Sequence, residues 1–218
     1  MMRVAAMAAK ASLTPTRLYL VRHGQVADGH THRYHGNNDI GLSVQGVRQF
    51  EDLAAQLTAL PLAGIYASDL TRALTGAAII SRGRNLAPQI IPEFREVHFG
   101  AWEGLSFTEI AEQYPAELEA RFRDLTSFRI PGGESLLDVS SRVLPRLGDL
   151  INQHLEEAFL IVAHAGVNRV ILSEALGLSL DHLFRLDQNY GCLNVIDYFP
   201  DMAVVRLING GVNGLVAA

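Results

Sequence analysis

The 218-residue chain has a single cysteine, Cys192. That excludes an intramolecular disulfide framework and fits a reducing compartment. No apolar run approaches the length of a bilayer span, so no membrane association is expected. The opening alanine-containing stretch is interrupted by Lys10 and does not read as a signal peptide. There is no block of lysine or arginine, and the formal net charge is −5. Nonspecific nucleic-acid binding, which needs a row of cations along the phosphates, is therefore not expected. Repeats and low-complexity tracts are also absent. These absences predict a cytoplasmic protein in which any anionic ligand must meet locally gathered positive charge.

Apolar residues make up 49% and charged residues 19%, a globular balance, and the length suits one sizeable core. The sequence predicts a flexible arm over 1–16, one domain over 17–208 and a flexible tail over 209–218. Strands and helices alternate. Short buried strands are expected at 18–21, 64–68, 89–91 and 158–163, the last apolar throughout, as in a parallel sheet covered on both faces. Val47, Phe50, Ala54 and Leu57 recur at helical spacing within 42–60 with Ser43 as N-cap, while Arg48, Gln49, Glu51, Asp52 and Gln56 point away. Further helices are expected from Asp69, over 106–114 and 115–125, after Pro131-Gly-Gly-Glu-Ser135 with a bend at Pro145, and over 167–176. Residues 93–104 follow no period. A hairpin over 192–198 and 203–208 closes an edge of the sheet and offers that edge for a homodimer. The class is α/β, a three-layer α/β/α arrangement around a mostly parallel sheet with an antiparallel strand at the edge.

Two of these strands run straight into histidines, His23 and His164, and a third leads into a helix whose first turn holds Arg72. If the strands are neighbours, Arg22, His23, Arg72 and His164 converge at the carboxyl edge of the sheet, where open α/β folds bind ligands. Guanidinium groups fork onto two oxygens of a phosphoryl group at once. Such a cluster suits a compact dianion. His30, His32 and His35 with Asp28 and Asp39 also admit a metal reading, but a polar histidine loop facing solvent or substrate is preferred, so neither metal nor cofactor is expected.

The sequence resembles the histidine phosphatase superfamily, in the branch containing phosphoglycerate mutases and small-molecule phosphatases. The resemblance rests on Arg22-His23-Gly24; on Arg33-x-His35-Gly36-x-x-Asp39 with Leu42 and Gly46; and on Ser68-x-Leu70-x-Arg72-Ala73. It extends through Glu96-x-x-Phe99-Gly100-x-Trp102-Glu103-Gly104, the Pro131–Ser135 motif, and Val162-Ala-His164-Ala-Gly166 with Arg169. It implies a phosphoglycerate mutase-like fold with His23 as nucleophile, Arg22, Arg72 and His164 holding phosphoryl oxygens, and Glu96 as proton donor, with Glu93 and Glu103 as rival carboxylates. Gln25, His35, Asn37, Asn38 and Ala165 are expected on the substrate side. The family's phosphate-binding asparagine is replaced by Gly29, with His30, Asn37 or Asn38 as candidates to supply that contact. His35 stands where a glutamine is usual, and Ala165 where a glycine is.

The activity implied is hydrolysis of a small phosphorylated metabolite, in the manner of alpha-ribazole-5'-phosphate, phosphoserine or sugar-phosphate phosphatases. Mutase-type phosphoryl transfer, kept open by Arg121, Arg123 and Arg129, is one alternative. Others are a protein-phosphohistidine phosphatase and an idle phosphate-binding or phosphoprotein-docking module.

Overall fold

The computed structural model describes residues 14–29 and 33–211. Six strands form one sheet: β1 (Thr16–Arg22), β2 (Leu62–Ala67), β3 (Gln89–Ile90), β4 (Ala158–Ala163), β5 (Leu193–Phe199) and β6 (Met202–Gly210). Their order is β3-β2-β4-β1-β5-β6. The first four are mutually parallel; β5 runs antiparallel to β1, and β6 antiparallel to β5, so the hairpin closes that edge. The expected three-layer α/β/α architecture is what forms.

The pleat divides the core. Leu18 and Leu20 of β1, with Phe159 and Ile161 of β4, face the helices α5 (Leu136–Gln153) and α6 (Ala165–Leu176). Tyr19, Val21, Leu160 and Val162 face the other way, onto α1 (Val44–Leu57) and α2 (Thr71–Ser81). Alternate residues therefore serve opposite layers. A satellite cluster, Trp102, Ile110 and Ile130, lies under α3 (Phe107–Gln113) and α4 (Pro115–Arg123).

Local signals fix the helix starts. Ser43 caps α1 by accepting from the Gly46 N–H, while Ser106 with Glu109 and Ser135 with Asp138 form capping boxes on α3 and α5. α5 runs as one helix through Pro145. Two boundaries differ from expectation. Thr16, assigned to the arm, begins β1, is buried and accepts a hydrogen bond from the Glu156 N–H; Asn209 and Gly210, assigned to the tail, complete β6. The rest of the arm through residue 13 and the tail from 212 lie outside the described residues. One side-chain direction also differs: Gln49 turns inward and accepts from the Gln25 N–H at 2.8 Å. The reason is the close seat of α1 on the loop after β1. A Cβ on Gly24 would sit 2.5 Å from the Gly46 carbonyl oxygen, so only glycines let this helix start approach.

Candidate active site

The sheet register builds the site. Arg22 is paired with Ala163 across β1 and β4, so the next residues, His23 and His164, emerge side by side, their rings 5.1 Å apart. Ala67 pairs with Val162 across β2 and β4, which delivers Ser68 next to them. Arg72 enters from the first turn of α2. All four expected groups are brought together, and His23, His164 and Arg72 are 5%, 0% and 1% exposed.

Each imidazole has one nitrogen committed. His23 Nδ1–H donates to the Gly24 carbonyl at 2.8 Å, leaving the Nε2 lone pair free. His164 Nε2 lies 2.7 Å from Ser68 Oγ, which also accepts from the Leu70 N–H. With the Ser68 proton directed to Nε2, His164 carries its own proton on Nδ1, which has no partner among the described residues. Burial, followed by the charges of Arg22 and Arg72, holds His23 well below the ordinary histidine range. Burial, then Arg72, His23 and Arg22, does the same to His164. Both rings stay neutral at pH 7.

The arginines are held from behind. Arg72 Nη1 and Nη2 donate to the carbonyls of Asn38 and Gly36 at 2.9 and 2.6 Å. Arg22 Nη1 donates to the Gln188 carbonyl at 2.5 Å, and its guanidinium carbon lies 4.0 Å from the centre of the Tyr190 ring. The Nε of each is buried without a hydrogen-bond partner among the described residues. Three buried nitrogens, on Arg22, Arg72 and His164, thus have no hydrogen-bond partner among the described residues. Leaving such groups unmet in a folded chain is costly.

Glu96, 9% exposed, accepts from the N–H groups of Val97 and Gly166 at 2.9 and 3.1 Å. A Cβ on Gly166 would stand 2.5 Å from that carboxylate, so the glycine at the start of α6 admits it. The Glu96 charge is also the largest electrostatic support for Arg72, whose guanidinium burial disfavours. Neither rival carboxylate is similarly placed. Glu93 is exposed, and Glu103 braces the loop by accepting from the Asn37 and Phe99 N–H groups at 2.8 and 3.1 Å.

The remaining expected residues divide. His35 lies 3.0 Å from Asp28, and burial lowers its pKa against that carboxylate's pull; the charge of Arg72 lowers it further. Asn37 has a buried side-chain oxygen without a partner among the described residues. Asn38 is exposed and contributes its carbonyl rather than its side chain. The Gln25 side-chain oxygen accepts from Ser43 Oγ at 2.9 Å and so serves the start of α1. Ala165 opens α6, half-buried. Gly29 closes a turn through its N–H on the Val26 carbonyl; His30 and His32 lie outside the described residues.

Several supports were missed by sequence reasoning. Arg142 donates to both oxygens of Glu134 at 2.8 and 2.9 Å and to the carbonyls of Arg95 and Glu96 at 2.8 and 3.1 Å, pinning the irregular loop that presents Glu96. Glu134 also accepts from the His98 N–H. Behind Arg22, the buried amides of Gln188 and Asn194 exchange two hydrogen bonds at 2.8 and 2.9 Å, and Asn194 donates to the Leu20 carbonyl. Cys192 packs there too, its thiol pushed up to about 11 by burial. The Ser68 motif and the Glu134 motif were visible in the sequence, but not what they hold.

A family model described as the histidine phosphatase superfamily (branch 1) matches residues 18–210. The chain belongs to that superfamily. It is 36% identical over 198 residues to a bifunctional protein of Mycobacterium tuberculosis, covering 90% of this chain and 54% of the relative. It therefore spans about half the length of that relative. A phosphoserine phosphatase of Hydrogenobacter thermophilus is 31% identical over 180 residues, 82% of each chain. Among solved structures, the alpha-ribazole phosphatase of Shigella flexneri superposes with a TM-score of 0.81 at 28% identity, covering 89% of this chain and 96% of its own. Among the described residues, no helix of this histidine phosphatase superfamily member is long and apolar enough to cross a membrane.

Proposed function

We propose that the protein is a metal-independent phosphomonoesterase that hydrolyses a small phosphorylated metabolite through a phosphohistidine on His23. The observation that carries the reading is the convergence of His23, His164, Arg22 and Arg72 at the ends of β1, β4 and β2, with buried nitrogens on Arg22, Arg72 and His164 that have no partner among the described residues. Nε2 attacks phosphorus in line with the ester oxygen, and the donors hold the equatorial oxygens as their charge develops. Glu96 takes up a proton as the dianionic ester binds and gives it to the departing alkoxide, then takes one from the water that attacks the phosphohistidine; phosphate leaves and the protonated acid is restored. The phosphatases among the relatives support a small alcohol phosphate as substrate.

A mutase would need a second grip on an anion. The three arginines that left that option open are otherwise engaged: Arg121 is buried against Trp102, Arg123 pairs with Glu119, and Arg129 lies 2.6 Å from Asp138. This favours hydrolysis over retention of the phosphoryl group. An idle binding module would have no use for the Glu96 carboxylate held at the start of α6.

The test is steady-state hydrolysis of p-nitrophenyl phosphate and a panel of phosphoserine, sugar and nucleoside phosphates, with EDTA present, for wild type and His23→Ala. Turnover by wild type and none by the variant is expected. Equal turnover by both, or turnover abolished by EDTA and restored by a metal, would overturn the reading.

A further inference from the structure

We infer that Tyr190 is a positioning residue for this reaction, its ring face fixing the guanidinium of Arg22 beside the nucleophile; the inference rests on the reading above. The guanidinium carbon lies 4.0 Å from the ring centre, well inside cation–π range. The same ring stands 5.6 Å from that of His23, tilted by 52°. One aromatic ring thus touches the cation and stands beside the imidazole.

Two restraints define the guanidinium. The Gln188 carbonyl fixes it within its plane at 2.5 Å, and Tyr190 fixes the plane itself. The buried Nε then points in one direction, with no acceptor of its own among the described residues. An arginine side chain left loose would have to be ordered each time an anion bound, and that lost rotamer freedom weakens binding.

The choice of partner matters. Among the described residues no carboxylate pairs with Arg22. A carboxylate would orient the cation but also cancel its charge. The ring orients it and leaves the full charge for a dianion.

Tyr190 is itself presented by a fixed backbone. On one side the Asn189 N–H donates to Asn209 Oδ1 at 2.6 Å; on the other, the Gly191 N–H donates to the His23 carbonyl at 3.0 Å. The loop that carries the ring is therefore tied to the strand end that carries the nucleophile.

The experiment measures orthovanadate binding by calorimetry, with kcat and KM for p-nitrophenyl phosphate, in wild type, Tyr190→Phe and Tyr190→Leu, each also combined with Arg22→Ala. Tyr190→Phe is expected to stay within about twofold of wild type, because the face is retained. Tyr190→Leu is expected to weaken vanadate binding and raise KM by about fivefold to twentyfold, and to have no further effect once Arg22 is alanine. Vanadate binding by Tyr190→Leu equal to wild type would overturn the inference. So would a Phe variant as impaired as Leu, or a Leu effect undiminished by Arg22→Ala. Because binding is read without turnover, a wild type that binds vanadate but hydrolyses no ester would sink the phosphatase reading and leave the coupling measured.

Discussion

Ser68 Oγ and His164 Nε2 lie 2.7 Å apart, joining the ends of β2 and β4. The hydroxyl decides which nitrogen of His164 carries the proton, and hence whether Nδ1 can donate to an anion. Ser68→Ala is expected to lower kcat/KM about tenfold while moving the melting temperature by only a few degrees, since one buried hydrogen bond is lost. Kinetics and a thermal melt on the same preparation check this. Unchanged kcat/KM would mean that His164 does not act through Nδ1.

The two neutral histidines give the pH dependence a sign. An unfolded histidine takes up a proton near 6.5, but burial and the arginines depress His23 and His164 in the folded chain. Their contribution to stability is in full above about 6.5 and is lost as the pH falls from there towards the depressed folded values. The melting temperature should drop below pH 6.5, less steeply for His164→Gln. The histidine-dependent acid limb of kcat/KM should likewise lie below 6.5; a limb centred at 6.5 would contradict the burial argument.

The brace formed by Arg142 and Glu134 carries a separate prediction. Arg142→Ala leaves Glu134 and three loop carbonyls without their donor, costing roughly 2 kcal/mol of stability. Because the same loop presents Glu96, kcat should fall about tenfold or more with KM little changed. Denaturant unfolding and steady-state kinetics measure the two effects; loss of stability with full kcat would detach the brace from the acid.

The parts of this site that could be read from the sequence were those lying on regular elements. Parallel strands end at one edge, so apolar runs terminating in His23 and His164 announced their convergence, and Arg72 followed from the helix start after β2. What could not be read depends on contacts between distant segments. Gln188 and Tyr190 meet Arg22 only because β5 pairs with β1, and nothing local to 187–192 signals it. Nothing in the sequence singled out Arg142, yet it organises the aperiodic 93–98 stretch that no periodicity could assign. Gln49 was misread because the helical period describes the layer facing the sheet, whereas the first turns of α1 also touch the loop after β1.

Arg121 offers a stability test away from the chemistry. It is 8% exposed, its Nη1 has no hydrogen-bond partner among the described residues, and its guanidinium lies 5.9 Å from the Trp102 ring. A buried cation without a counter-charge is poorly compensated. Arg121→Met keeps the packing and is expected to stabilise the fold by about 1 kcal/mol. A lower denaturant midpoint for the variant would show that the aromatic contacts outweigh the desolvation of the charge.

The central claim is covalent transfer to His23, and trapping the intermediate tests it most directly. Wild type mixed with excess p-nitrophenyl phosphate, quenched in alkali within one turnover and mapped by mass spectrometry, should carry one phosphoryl group on the peptide containing His23 and none in His23→Ala. Release of phosphate by wild type with no phosphoryl-enzyme under these conditions, or the group found on another residue, would contradict the account.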